Sequence, residues 1–381
     1  VQVRYQMKDY KIFHIITGLK VGGAENALLR LILHSPDNYK HIVLCLTTGG
    51  AMHDVFLKSK INVITLDFKK SFIKSFYCLI KHIRRHKPDI VQTWLYHANL
   101  IGGISAKLSG VNTVIWGLRG TAIPQSSLSL HNLVMNFGSF MSYFVPSSIV
   151  CNAESVRNFH ANKGYSKNKL TIIPNGFYFQ PKDLNQDQKN MKSLYGLNDQ
   201  SITIGTIGRY DRLKDYPNMA NACALIMKEF KNVHLIMIGR GLDSSNIELM
   251  SLLSNQLDLS RVHLLGERSD ISNCLKAIDI FCLSSRNEGF PNVVCEAMLM
   301  SIPCVVTDAG DAANIVSHAG ITVPTEDHIK LASGLKYMIE IGAPGRKKLG
   351  DLSFSQIKSN YSIEKNISCF NKLYMELMNA Q

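Results

Sequence analysis

Short, almost unbroken apolar runs alternate with helical patterns along this whole chain, and the alternation comes in two series. In the first, residues 11–16, 41–46, 62–66, 89–93 and 113–116 read as strands, with helical spacing over 23–34, 72–86 and 98–108. In the second, strands are expected at 202–207, 233–238, 262–264, 278–283, 304–306 and 321–323, with helices such as 217–228 and 291–300 between them. A strand apolar on both sides is buried on both sides, so a strand–helix repeat of this kind builds a parallel sheet covered by helices. The 381 residues exceed what one ordinary core holds and suit two such domains. The expected fold class is therefore α/β, with Rossmann-like domains over 1–178 and 201–361. The intervening 179–200, rich in Lys, Asn, Asp and Gln from 180 onward, reads as a linker. Parallel sheets take ligands beyond the carboxyl ends of their strands, so two facing domains put the chemistry in the cleft between them.

Composition removes several classes. Hydrophobic residues make up 46% and charged residues 19%, a globular balance. No run reaches the roughly 18 apolar residues of a membrane span, and the first apolar run, 12–16, is too short for a signal-peptide core. The longest candidate span, 128–145, is broken by His131, Asn132 and Asn136. Nine scattered cysteines without a Cys-x-x-Cys pair argue against a disulfide framework and a structural zinc site. Cys45, Cys282 and Cys304 fall inside strand-like runs, where cysteine acts as a small core residue. A reducing, cytoplasmic compartment follows as the expectation.

Three strand-end loops carry the chemistry. Arg286-Asn287-Glu288-Gly289-Phe290-Pro291-Asn292-Val293-Val294-Cys295-Glu296 follows one strand and opens a helix, which Pro291 can begin. A helix N-terminus offers free N–H groups and partial positive charge to a phosphate, while Glu288 and Glu296 can accept hydrogen bonds from hydroxyls. They can equally be helix-end acids that do no more than satisfy the dipole. Gly208-Arg209-Tyr210-Asp211-Arg212-Leu213-Lys214 follows another strand, and Arg209 and Lys214 can clamp a diphosphate whose charge grows as a glycosidic bond breaks. The bland alternative is a solvated basic loop. Gly18-Leu19-Lys20-Val21-Gly22-Gly23-Ala24-Glu25 lets backbone approach a ligand closely. It is not the dinucleotide fingerprint, and Leu46-Thr47-Thr48 offers no acid for a ribose, so nicotinamide cofactors are disfavoured.

Taken in this order, with Ile173-Pro174-Asn175-Gly176 and Pro303-Cys304-Val305-Val306-Thr307-Asp308, these motifs resemble the retaining glycosyltransferases of family four, of GT-B fold and bacterial surface-polysaccharide type. The resemblance implies a nucleotide-sugar donor. Arg209 and Lys214 would hold the diphosphate, Glu296 the ribose, and Glu288 the sugar hydroxyls, with support from backbone groups of Gly289, Phe290 and Pro291 and from Asn292. Gly22, Gly23, Gly208 and Arg268 complete the expected donor site. His97 matches the family's active-site histidine, while Trp94 and Arg119 are the expected acceptor contacts. Trp94 stands where many relatives carry another histidine. A C-terminal helix over 362–381 would pack back on the first domain. The donor is expected to be a UDP-hexose or UDP-N-acetylhexosamine, with GDP-mannose as alternative donor and a sugar-nucleotide 2-epimerase as alternative enzyme.

No Asp-x-Asp occurs in the chain, so no metal and no other cofactor is expected. The net charge of +13 is lopsided: residues 1–200 hold 24 Lys and Arg against 10 Asp and Glu, and residues 201–381 hold 18 against 19. Residues 69–87 concentrate seven basic side chains beside an apolar stripe of Ile73, Phe76, Tyr77, Ile80 and Ile83. This predicts an amphipathic helix: either a packed helix with a solvated basic face, or one drawn to an anionic membrane surface. The second reading goes with a glycan or lipid-diphosphate-linked acceptor and a peripheral place on the inner face of the cell membrane. Nucleic acid is not an expected partner, since no stacking platform or helix-turn-helix spacing accompanies the charge.

Overall fold

The computed structural model describes residues 8–121, 130–178 and 188–380. The chain divides into two units, one made of Val1–Gly176 with Ile363–Gln381, the other of Phe177–Ser362.

The first unit runs β1 (Tyr10–Ile16), α1 (Gly23–His34), β2 (Tyr39–Cys45), α2 (Ala51–Lys58), β3 (Asn62–Thr65), α3 (Phe72–His86), β4 (Ile90–Trp94), α4 (Tyr96–Leu108), β5 (Thr113–Leu118), α5 (Leu130–Met141), β6 (Ser148–Cys151), α6 (Glu154–Asn162) and β7 (Leu170–Ile172). Its sheet is parallel throughout, in the order β3-β2-β1-β4-β5-β6-β7. Both faces of β4 and β5 are fully buried, which explains their mostly apolar sequences; the buried Gln92 and Thr93 of β4 are hydrogen-bonded, to Tyr374 and to Asn99. The order reverses between β1 and β4, where Ile16 pairs with Trp94 at the strands' carboxyl ends. Such a switch point leaves a crevice, because the connections on either side leave in opposite directions.

The second unit runs α7 (Gln188–Ser193), β8 (Ile202–Ile207), α8 (Tyr216–Glu229), β9 (Val233–Ile238), α9 (Ile247–Gln256), β10 (Val262–Gly266), α10 (Ile271–Lys276), β11 (Ile280–Leu283), α11 (Asn292–Leu299), β12 (Cys304–Thr307), α12 (Ala312–Val316), β13 (Ile321–Val323), α13 (His328–Glu340) and α14 (Gly342–Asn360). Its parallel sheet is ordered β10-β9-β8-β11-β12-β13, with the switch point between β8 and β11. The final helix, α15 (Ile363–Asn379), returns to the first unit. Its Phe370 and Tyr374 enter the core beside Ile12, Leu28 and Trp94, and the Tyr374 hydroxyl donates to Gln92 Oε1.

Two expectations need revision. Residues 188–200 belong to the second unit rather than to a linker: α7 lies there, and buried Lys192 Nζ sits 2.6 Å from Asp279 Oδ2. Residues 179–187 lie outside the described residues. In α3 the buried row is Ser75, Leu79 and Ile83, spaced i, i+4, i+8, while Ile73 is 84% exposed and Tyr77 67%. A helix with large apolar side chains on more than one face cannot bury them all against one neighbour, and this one leaves Phe72, Ile73 and Tyr77 outside. All nine cysteines are free thiols, seven of them buried. No helix among the described residues is long and apolar enough to cross a membrane.

Candidate active site

In the second unit the β8–α8 and β11–α11 loops meet at the switch point. After Ile207 the chain turns through Gly208 and Arg209 into a 3-10 turn, Arg212–Lys214, which Asp211 caps by accepting from the Leu213 N–H at 2.9 Å. Arg209 Nε donates to the other Asp211 oxygen at 2.9 Å. Burial alone would raise the Asp211 carboxyl, but the Leu213 N–H and the Arg209 guanidinium bring it below the usual carboxylate range. Lys214 then reaches across, its Nζ 2.6 Å from Glu288 Oε1, and Ser285 Oγ donates to the same oxygen at 2.7 Å. Lys214 and Glu288 stand on two separate motifs of the sequence; folding makes them one site.

Residues that sequence reasoning passes over hold the two loops together. Arg286 N–H donates to Leu213 O at 2.8 Å, and Ser284 Oγ to Lys214 O at 2.8 Å. The Arg286 guanidinium bonds Asp215 Oδ1 at 2.9 Å and also meets Glu326 at 3.1 Å. Asp215 is buried and left-handed, with φ 51°, a conformation that costs a non-glycine residue and persists only where its surroundings hold it. Thr307 Oγ1 donates to Ser285 O at 2.6 Å. Gly310, at φ 61°, lies so close to the Glu288 carbonyl that any side chain would collide with it. Local sequence offers no signal for these residues, since their roles depend on partners distant in the chain.

The other residues expected on the donor side divide by burial. Glu296 is half-buried on α11, and Pro291 stands at the N-cap rather than inside the helix. The Phe290 ring is buried, stacked on Phe177 at 6.2 Å and edge-on to Tyr361 at 5.6 Å, so only its backbone can serve a ligand. The Gly289 carbonyl accepts from the Asp311 N–H at 3.1 Å. Asn292 begins α11, and Arg268 pairs with Asp270 through two 2.8 Å hydrogen bonds just after β10.

In the first unit the expected residues again collect at the switch point. Gly22 caps α1 without a side-chain bond, and Gly23 begins the helix. Burial raises the Glu25 carboxyl in its first turn, although its own N–H and the nearby Arg119 charge oppose this. Trp94, the last residue of β4, is fully buried and donates from Nε1 to His14 Nδ1 at 3.3 Å. The expected direct acceptor contact through Trp94 is therefore corrected: its ring presents no surface and lies beneath Arg119, whose guanidinium is 4.1 Å above it. Arg119 also donates to Asn175 Oδ1 at 2.6 Å, which ties the Ile173–Gly176 motif to this site. Burial, then Arg30, lower the Arg119 pKa to about 9, against the pull of Glu25. His97 lies in the first turn of α4, half-buried, with its pKa lowered by burial and by His131. It is neutral at neutral pH and can accept a proton.

Two doubly wound parallel-sheet units, the second with a cation–carboxylate pair at its switch point, are the architecture of the GT-B fold, with a site where such sheets take their ligands. The family profile described as "Glycosyltransferase Family 4" matches residues 21–178, and that described as "Glycosyl transferases group 1" matches residues 201–340. Together they take in most of the chain, which belongs to the family-four glycosyltransferases. It is 29% identical over 247 residues to the UDP-Gal:alpha-D-GlcNAc-diphosphoundecaprenol alpha-1,3-galactosyltransferase of Escherichia coli, spanning 62% of each chain. The capsular polysaccharide biosynthesis glycosyltransferase CapM of Staphylococcus aureus is 25% identical over 373 residues, 92% of this chain and 95% of its own. The crystal structure of Anabaena Alr3699/HepE in complex with UDP-glucose is similar in fold, with TM-score 0.82 at 19% identity over 97% of this chain and 100% of that one.

Proposed function

We propose that this glycosyltransferase moves a hexose or N-acetylhexosamine from a UDP-sugar, with retention of anomeric configuration, to a glycan carried on a lipid diphosphate, in bacterial surface-polysaccharide synthesis. The observation that carries the reading is the Lys214–Glu288 contact, with Arg209 on the same loop. As the bond to the departing diphosphate breaks, negative charge grows on phosphate, and fixed cations stabilise that charge more than the ground state. Arg209 and Lys214 supply those cations without a metal ion, and Glu288 accepts hydrogen bonds from the sugar hydroxyls. With Glu288 so engaged, the acceptor attacks on the side from which the diphosphate leaves, and the departing phosphate takes the acceptor's proton. Neutral His97 and Arg119, in the first unit, serve the acceptor.

The name of the Escherichia coli relative, with its UDP-sugar and diphosphoundecaprenol-linked acceptor, supports the choice of donor and acceptor. Exposed cations along α3 support a peripheral place on the anionic inner face of the cell membrane.

The test is a panel of UDP-glucose, UDP-galactose, their N-acetylated counterparts and GDP-mannose, scored by thermal unfolding and by hydrolysis. Tight ligands raise apparent stability by mass action, so a rise confined to UDP-sugars is expected. A rise with GDP-mannose alone would replace the donor assignment. Acceptor-free conversion of a UDP-N-acetylhexosamine to its 2-epimer would replace the reaction. The anomeric configuration of the product, read by NMR, decides retention.

A further inference from the structure

Helix α5 is built inside out. The side it turns inward carries Asn132, Gly138 and Ser139, with Ser142 just beyond its end and Met135 the one large apolar residue among them. These small polar residues are used: Ser139 Oγ donates to Lys163 O at 2.8 Å, Ser142 Oγ accepts from the Ser166 N–H at 2.9 Å, and Gly138 leaves room for the Tyr165 hydroxyl, which donates to Met135 O at 3.1 Å. The outward side carries Leu133, Phe137 and Phe140, and the following turn adds Tyr143 and Phe144. These five are between 51% and 67% exposed, and the Phe140 and Phe144 rings touch at 5.3 Å. A helix facing water would carry the reverse pattern.

What covers the ridge is indicated by its surroundings. α5 packs beside α4, and α4 beside α3. Through residues 68–153, which contain all three helices, the sequence holds nine Lys and Arg and a single carboxylate, Asp89. Partly exposed Lys169 donates to Tyr143 O at 2.7 Å, and exposed Arg84 to Leu108 O at 2.9 Å, with exposed Lys107 adjacent, so cations rim the ridge's C-terminal end. A second copy of this chain would bring the same positive charge face to face. An anionic lipid surface complements it, and aromatic side chains with flanking cations match the layering of a headgroup–acyl boundary. α5, at 12 residues, is too short to cross a bilayer and long enough to lie along one.

We propose that the outward ridge of α5 and its following turn inserts into the acyl boundary of an anionic bilayer, while the cations of α3 and α4 sit at headgroup level. The inference rests on the peripheral attachment proposed above and adds insertion to it: attraction through α3 is lost in salt, whereas an inserted ridge holds on.

The experiment uses the full chain with vesicles of phosphatidylglycerol and phosphatidylcholine. Wild type is expected to co-sediment at low salt and to keep part of its binding at about 0.5 M salt, where charges act only over a few ångströms. The triple variant Phe137→Asn, Phe140→Asn, Phe144→Asn should keep the low-salt binding and lose the salt-resistant part by about tenfold or more. Because that variant can fold poorly, Phe140→Trp provides an independent reading. Trp94 and Trp116 are both fully buried, so the added indole alone should shift to the blue on vesicles and be quenched by brominated acyl chains. Unquenched emission from that indole, with all wild-type binding lost in salt, would overturn insertion and leave the α3 attachment standing. Absence of any vesicle binding would overturn both. A vesicle-free dimer that the triple variant dissociates would show that a second copy covers the ridge, which also overturns the proposal.

Discussion

The Lys214 ammonium lies 2.6 Å from Oε1 of Glu288, although 74 residues separate the two in the chain. Each is mostly withdrawn from solvent, so neither charge is well placed without the other or a ligand. Lys214→Ala and Glu288→Ala should each lower kcat by about 100-fold or more, the scale of losing one preorganised transition-state contact. The double variant should fall well short of the product of the two losses, because the residues form one unit. Initial rates at saturating donor decide this; near-normal turnover in either single variant would remove the pair from the site.

Asp215 and Arg286 should act on geometry rather than on the donor directly. Their ion pair joins the loop bearing Lys214 to the loop bearing Glu288, with Asp215 buried and Arg286 about a third exposed. Arg286→Met leaves the Asp215 carboxylate buried without that partner, at a cost of about 2 kcal/mol, toward the low side because the arginine is partly solvated. Urea unfolding measures that loss. The same variant should lower kcat more than it changes donor KM, and an unaltered kcat would make the pair purely structural.

Activity should survive EDTA. The chain has no Asp-x-Asp pair, and Arg209 and Lys214 supply positive charge where the diphosphate would leave. Turnover lost on chelation and restored by Mn²⁺ or Mg²⁺ would transfer that role to a metal.

Charge reversal on α3, with Lys81→Glu and Arg85→Glu, should abolish sedimentation with anionic vesicles at physiological salt, where the Debye length is about 8 Å. Both side chains are exposed, so donor hydrolysis should be unchanged. Equal binding of wild type to anionic and neutral vesicles would contradict the electrostatic attachment.

Acid should destabilise the first unit well before its carboxylates titrate. Burial lowers His41 and His160 to about 4, whereas an unfolded histidine titrates near 6.5. Between those values the unfolded chain binds protons that the folded one refuses. Stability is therefore complete above pH 6.5 and falls as pH drops toward 4, by up to about 3 kcal/mol per histidine. His160 Nδ1–H donates to the Val156 carbonyl at 2.7 Å, so Nε2 must accept from the Tyr96 hydroxyl, also at 2.7 Å. His160→Gln should flatten the pH dependence of the urea midpoint over that window, and an unchanged slope would clear His160 of the effect.

Periodicity in the sequence was enough to read most strands of both sheets and the two-domain plan, because a strand buried on both faces is mostly apolar, but it missed the short β6 and β7. The strand-end loops were legible for the same reason, as polar and glycine-rich breaks between apolar runs. Burial in three dimensions decided the rest. Trp94 reads as a ligand contact in the sequence and is in fact the buried platform beneath Arg119. Lys214 and Glu288 become a pair only because β8 and β11 are neighbours across a switch point, an adjacency that nothing local encodes. Asp215 has no helical or strand signal of its own, and its role depends on an arginine 71 residues away. The outward ridge of α5 was legible as apolar residues but not as exposed ones. Spacing along a helix shows which side chains share a face, and only the packed neighbours determine which face meets the sheet.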